Sequence, residues 1–359
     1  MKIAMLAAAN CVHAMRFANA FKAKNLDVCL ISLNCHKAAL NAINCGVHYL
    51  KSRGGPLKYH LAAAELKNLL KDLQIDILNV HYASGYATLA RLSKFQPTLL
   101  NIYGSDVYEF PFQNLLNRRI AAKNIKYAAK TASTSHAMKA QTDTIYKRSD
   151  EIFITPFGVD TSVFVPNDNK SADSVFKIGL VKTLQKKYGV EYLIRAVNLL
   201  RFKIERPIMV EIYGDGAERN NLETLVVNLN LQDIIKFKGK IPHADVPHAL
   251  KAFDVCVIPS LIESFGVSAI EAMACEIPII TSDAPGLKEV NLNNVTGFVV
   301  LREDCSAIAD KLHELLENKS LRSEMGNAGR KHVKQHYEWS NCVNQLINCI
   351  NITYKNYSK

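Results

Sequence analysis

No stretch of the 359 residues approaches the ~20 consecutive apolar residues that a membrane-spanning helix needs. The opening KIAMLAAA lacks the length and the cleavage pattern of a secretory signal, so it reads as a first β-strand. The nine cysteines are odd in number and contain neither a C-x-x-C pair nor a Cys/His cluster at zinc spacing. This argues against a disulfide framework and a structural zinc, and for reduced, mostly buried thiols in a cytoplasmic protein. No G-x-G-x-x-G follows an opening strand, which removes the nicotinamide and flavin fingerprint. No D-x-D pair closes a strand to coordinate a magnesium ion, and no low-complexity tract suggests disorder. Acidic residues are in deficit, 33 against 44 basic, which leaves a formal charge of +11. Such a charge admits nucleic acid, an anionic membrane face or phosphorylated substrates as partners.

What is present is enough apolar material for large cores. Hydrophobic residues make up 48% and charged residues 21% of a chain too long for one ordinary core, so two α/β lobes are expected. Short apolar runs alternate with helical patterns: KIAMLA, a helix from Ala14 to Lys24, DVCLISL, DILNVHY, TLLNIYG, TASTS and EIFITPFG. This is the signature of βαβ units on a parallel sheet. The polar stretch NDNKSADS after Pro166 interrupts the pattern. FKIGLV then restarts it, followed by a helix from Val190 to Leu200, IMVEIYG, IIKFKGK, DVCVIPS and IPIITS. The expected division is an N-terminal domain over 1–165, a linker over 166–176, a C-terminal domain over 177–337 and a last helix over 338–359. In that helix Trp339, Val343, Leu346, Ile347 and Ile350 keep the i, i+3, i+4 rhythm of an apolar face. Open parallel sheets bind ligands at their strand carboxyl ends, so two of them on one chain imply a ligand cleft.

The segment DVCVIPSLIESFGVSAIEAMACEIPII carries the strongest chemical signal. A buried strand ends at Ser260, a short loop holds Glu263, and a helix is expected to begin near Ser264 and include Glu271. A helix start leaves backbone N–H groups unpaired, so those of Ser264, Phe265 and Gly266 could face a diphosphate, and Gly266 allows close approach. If all eight residues are helical they turn through about 800°, placing the two carboxylates about 80° apart on one cleft edge. Carboxylates there can accept hydrogen bonds from sugar hydroxyls.

This segment resembles the E-x7-E signature of glycosyltransferase family 4, retaining enzymes of the GT-B fold. TPFGVDTSVF is similar to the family's hinge sequence, KFKGKIPHADVPHAL to the strand and helix beside the base pocket, APGLKEVNLNNVTGFVV to its later G-x-x-E-V segment, and HYEWSNCV to its crossing helix. The resemblance implies two Rossmann-like domains facing a central cleft, with the C-terminal helix crossing back. It implies that Glu271 binds the donor ribose, that Glu263 approaches the transferred sugar, and that backbone around Phe265 and Gly266 holds the diphosphate. In GLVKTLQKKYG, Lys182 falls where the family has arginine and Lys187 where it has lysine, with Tyr188 inserted before Gly189 and Lys186 as a substitute. A lysine neutralises phosphate but lacks the bidentate fork of arginine. IYGDGAER resembles the family's glycine turn beside the nucleotide, so Gly214 is assigned to the donor with Lys240 from GKIPH. His81, which closes DILNVHY, matches the histidine the family places over the reaction centre. On the acceptor side, Asp106 of NIYGSDVY and Asn10 and His13 of AAANCVHAM are candidates, the last loop lacking the family's paired glycines.

The implied reaction moves a sugar from a nucleotide-diphosphate sugar, UDP favoured over GDP, to a saccharide or lipid-linked acceptor in cell-surface polysaccharide synthesis. A helix start plus lysines can carry the leaving-group charge, so no metal and no further cofactor is expected. Arg119, Lys123, Lys126 and Lys130 are spaced to share one face of a helix over 115–132. That face suits either an anionic leaflet, hence the inner face of the plasma membrane, or plain solvation. Other readings are a nucleotide-sugar epimerase or phosphorylase on the same architecture, which the E-x7-E helix argues against, and a nucleic-acid-binding protein. Against the last, no helix-turn-helix, zinc, RRM or KH pattern is present, so no nucleic-acid partner is expected.

Overall fold

Among the residues described by the computed structural model, 1–39, 42–51, 58–167 and 175–357, the apolar runs form strands in two parallel sheets. The first sheet holds β1 (Lys2–Leu6), β2 (Asp27–Leu33), β3 (Gly46–Leu50), β4 (Ile77–His81), β5 (Thr98–Ile102), β6 (Lys130–Ser133) and β7 (Phe153–Ile154). Their order across the sheet is β3-β2-β1-β4-β5-β6-β7. The second sheet holds β8 (Phe176–Val181), β9 (Ile208–Tyr213), β10 (Ile235–Gly239), β11 (Val255–Ile258), β12 (Ile279–Ser282) and β13 (Gly297–Val300), ordered β10-β9-β8-β11-β12-β13. Both are doubly wound, Rossmann-like sheets whose strand order reverses at β1/β4 and at β8/β11. Loops leaving those strand ends diverge, which opens a crevice at each reversal.

The strands are continuous apolar runs because helices cover both faces. In the first unit Leu6, Ile31, Leu78 and Leu100 pack with Leu66, Leu89 and Met138 from the helices. In the second, Ile178, Leu180, Val210 and Val257 pack with Leu193, Val197 and Leu312. The helix Val190–Leu200 has the expected bounds and buries Val190, Leu193, Ile194, Ala196, Val197 and Leu200. It starts after Gly189, held at φ +61, where an added Cβ would lie 2.2 Å from the Pro259 carbonyl oxygen.

The chain divides into one unit of Met1–Phe157 with Cys342–Lys359 and another of Gly158–Asn341. Residues 158–165 thus group with the second unit, and of the expected linker the positions 168–174 lie outside the described residues. The last helix, Trp339–Tyr357, buries Cys342, Val343, Leu346, Cys349, Ile350 and Thr353, while Ile347 is half-buried.

Two local expectations are corrected and one strand is added. The basic stripe loses a member: the helix covers Leu115–Tyr127, Ala128 turns extended, and Lys130 opens β6 with its ammonium 2.9 Å from Asp150 Oδ2. The helix of the E-x7-E segment is Val267–Ala274, since Gly266 sits at φ +109 and cannot continue a right-handed helix. Glu263 therefore lies on a loop, and its relation to Glu271 is not one of helical spacing. The edge strand β3, absent from the apolar reading, keeps only Leu50 fully buried, so its sequence GVHYL carries no continuous apolar run.

Candidate active site

In the second unit the reversal at β8/β11 gathers charge. Lys182 follows β8, and its Nζ lies 2.5 Å from Glu263 Oε2 on the loop after β11. Both side chains are largely shielded, 15% and 10% exposed, so this ion pair is held out of water. Burial alone would pull the Lys182 pKa down, but the carboxylate of Glu263, with Tyr188 and Glu271, holds it above the ordinary lysine value. Lys182 is therefore a permanent cation. Its ammonium also lies 4.5 Å from the Tyr188 ring centroid, and that of Lys187 lies 5.1 Å from the same ring. The tyrosine that reads as an insertion in the sequence thus sits against both cations.

Backbone contacts fix these loops. The Lys187 carbonyl accepts the N–H groups of Leu261 (2.8 Å) and Ile262 (3.2 Å). Gly214, at φ +146, passes so close to Lys182 that a Cβ would lie 1.9 Å from its carbonyl oxygen. Only glycine permits that approach, so Gly214 supports the lysine. Gly286 donates its N–H to the Glu263 carbonyl at 3.1 Å, and a Cβ there would meet the backbone of Ser264 and Phe265. The Phe265 side chain is core, edge-on to Tyr337, while Gly266 caps the helix that follows. The Gly266 carbonyl accepts the N–H groups of Ala269 (3.0 Å) and Ile270 (3.2 Å), so the amides of Val267 and Ser268 precede the helical ladder. Glu271, buried one turn further on, accepts a 2.8 Å contact from His243 Nε2. Lys240 is exposed just beyond β10.

In the first unit the reversal at β1/β4 gathers buried polar groups around a histidine ring. His81 ends β4 fully buried, its Nε2 within 3.3 Å of Asn79 Nδ2 and 3.4 Å of the Tyr103 hydroxyl. Burial, with a contribution from His13, lowers its pKa to about 3, so the ring is neutral at physiological pH. His13, in the first turn of the helix Val12–Ala23, stacks on Phe157 at 3.8 Å between ring centroids. Asn10 is exposed in the loop before that helix. Tyr82 follows His81 at φ +69 and meets Cys11 Sγ through its hydroxyl at 3.8 Å. Asp106 is buried and accepts N–H groups from Ala83 (2.7 Å), Gly104 (2.8 Å) and Tyr103 (3.2 Å). Burial raises its pKa and those amides oppose the rise. Its oxygens thereby tie the loop after β5 to the residues after β4.

Within the second unit, then, Lys182, Lys187, Glu263 and Glu271 share one strand-end region, with Ser264, Phe265 and Gly266 in the loop that joins its parts. Within the first, His81 and His13 are close, and Asp106 accepts backbone N–H groups beside them. Sequence reasoning passed over His243, Asn79 and Tyr103, whose signals are ordinary polar positions in or near apolar strands. Among the described residues no group of three His, Cys, Asp or Glu could hold a metal ion. No helix there is long and apolar enough to cross a membrane.

The family model for glycosyl transferases group 1 matches residues 164–332, and that for glycosyl transferase 4-like proteins matches residues 2–135. The N-acetyl-alpha-D-glucosaminyl L-malate synthase of Bacillus anthracis is 26% identical over 300 residues, which cover 80% of this chain and 77% of that one. The sucrose-phosphate synthase of Thermosynechococcus elongatus superposes with a TM-score of 0.83 at 21% identity, covering 99% of this chain and 100% of that one. An Anabaena protein solved in complex with UDP gives a TM-score of 0.83 at 17% identity, covering 98% of this chain and 100% of its own. At such identities the two structures speak to the fold, which is GT-B.

Proposed function

Since the chain belongs to the group 1 glycosyltransferases of family 4, we propose that it moves a hexose or N-acetylhexosamine from a UDP-sugar, in preference to a GDP-sugar, to a hydroxyl of a saccharide or lipid-linked acceptor. The observation that carries this reading is the shielded Lys182–Glu263 pair beside Lys187 and the helix start at Val267. Breaking the bond between the anomeric carbon and the diphosphate builds negative charge on the leaving phosphate. Lys182, Lys187 and the first-turn amides meet that charge where it forms, and no step needs a metal. The preference for UDP rests on the Anabaena neighbour.

Glu271 accepts hydrogen bonds from the ribose hydroxyls, with His243 orienting one of its oxygens. Glu263 serves Lys182 and the sugar, and is not a nucleophile. The sugar is retained in configuration: the acceptor oxygen attacks the face the phosphate leaves, and its proton passes to the departing phosphate oxygen. Lys240 and Gly214 flank the nucleotide, and Asn10 and His13 border the acceptor.

The acceptor is lipid-linked and belongs to cell-surface polysaccharide synthesis at the inner face of the plasma membrane. Support comes from the helix Leu115–Tyr127, where exposed Arg119, Lys123 and Lys126 adjoin exposed Phe112, Leu115 and Leu116. Cations beside apolar side chains suit an anionic leaflet.

Thermal stabilisation by UDP, GDP and ADP, measured with the wild type and Glu271→Ala, tests the donor reading. A response to UDP that is lost in the variant is expected; indifference to all three nucleotides would overturn it.

A further inference from the structure

Two buried asparagines behind His81 decide where its proton sits. The deduction starts from the backbone carbonyl of Val80, which can only accept a hydrogen bond. The group facing it at 3.0 Å is the side-chain amide of Asn101, so that group is the nitrogen, Nδ2. The opposite orientation would set two acceptors against each other, and the observed one is adopted although it leaves Asn101 Oδ1 without a partner.

The same Nδ2 lies 2.6 Å from the terminal amide of Asn79, which must therefore offer its oxygen. Asn79 is then obliged to turn its own nitrogen to His81, and Nδ2 donates to Nε2 at 3.3 Å. The Tyr103 hydroxyl, 3.4 Å from the same Nε2, can donate as well. A ring nitrogen that accepts carries no proton, so in the neutral imidazole the proton is on Nδ1. His81 Nδ1 is buried and has no hydrogen-bond partner among the described residues. A buried, unpartnered N–H is costly to leave unmade, and its natural complement is an acceptor atom that arrives with a ligand.

We propose that Asn79 and Asn101 are positioning residues that lock His81 as the Nδ1–H tautomer, making it a fixed hydrogen-bond donor to a substrate oxygen. It does not act as a base: the lone pair is turned inward to Asn79 and Tyr103, and only a donor is left for the ligand. The identity of that ligand rests on the function proposed above, whereas the tautomer does not.

The test is ¹⁵N NMR of the full-length chain labelled at histidine, with the His81 signals identified by their loss in His81→Gln. The Nδ1–H pattern is expected in the wild type. An Nε2–H pattern there would overturn the proposal without any variant. Asn79→Asp replaces the donor by an acceptor and should move the proton to Nε2, with kcat down about 10- to 100-fold and the donor KM changed less. Asn79→Thr keeps a donor and should retain the Nδ1–H pattern and most of kcat. Should Asn79→Asp not fold, Asn101→Leu frees the Asn79 amide to rotate and should give a mixture of tautomers. Unchanged turnover after a demonstrated switch of tautomer would overturn the donor role. The expected tautomers in a protein that transfers no sugar from any nucleotide would instead sink the function and leave the lock standing.

Discussion

The two strand-order reversals solve different problems with different chemistry. At β8/β11 charged side chains meet close partners: Lys182 pairs with Glu263, Glu271 accepts from His243, and Tyr188 lies against two ammonium groups. At β1/β4 the His81 ring is neutral and buried, resting on Asn79 and Tyr103. A diphosphate gains its charge stabilisation from the first kind of surface, which tolerates small shifts because Coulomb attraction falls slowly with distance. A reacting sugar needs the second kind, where a hydrogen bond weakens steeply when misaligned. On the function proposed above, one reversal would serve charge and the other direction.

The largest blow to this contrast comes from Lys182→Ala. Transfer should fall about 10²- to 10³-fold, the usual loss for one oxyanion donor, and Glu263 would stay charged and shielded, costing about 3–5 kcal/mol of stability. Denaturant titration of Lys182→Met/Glu263→Leu should recover most of that stability while activity remains lost. If activity returned with stability, the pair would be structural only.

At the neutral reversal the signature is a pH dependence of stability. Folded His81 has its pKa lowered to about 3 from the ordinary 6.5. As pH falls below 6.5 the unfolded chain takes up a proton that the folded chain refuses. Stability is thus fully present above pH 6.5 and is lost towards pH 3, at up to ~1.4 kcal/mol per pH unit. His81→Asn should flatten that slope, and a slope identical to wild type would show that the ring is not held neutral.

Smaller effects sharpen the contrast. Glu271→Ala removes a charged acceptor worth about 1.5–3 kcal/mol, so the donor Kd by calorimetry should rise about 10- to 100-fold with little change in acceptor KM. Tyr188→Leu removes a ring worth about 0.5–1 kcal/mol to each cation, so donor affinity should fall only a few-fold. A larger loss would make Tyr188 a ligand in its own right.

The fold was legible because its information is local. Apolar runs such as FKIGLV and the periodic face from Val190 to Leu200 announce their elements within a few residues, and the structure keeps them. The site was legible only where one segment carries it, as with Glu263 and Glu271. Lys182 and Glu263 lie 81 positions apart, and His243 and Glu271 lie 28 apart. Such pairs exist only once strands align their ends, and spacing cannot state them. Asn79 and Asn101 were hidden for a further reason: each is a single amide within a run that otherwise reads as buried strand. The helix start was misplaced by three residues because SFG admits either a first turn or a left-handed cap, and the φ of Gly266 decides it.

The unit that holds His81 is completed by residues that follow the whole of the other unit in the chain. It joins Met1–Phe157 to Cys342–Lys359, whereas Gly158–Asn341 is one uninterrupted stretch. During synthesis the earlier-made unit must wait, with a hydrophobic strip uncovered, while the later one emerges complete and is free to fold first. A chain cut near residue 340 would lose the Val343, Leu346 and Ile350 face and damage the half of the enzyme farthest from the cut in sequence.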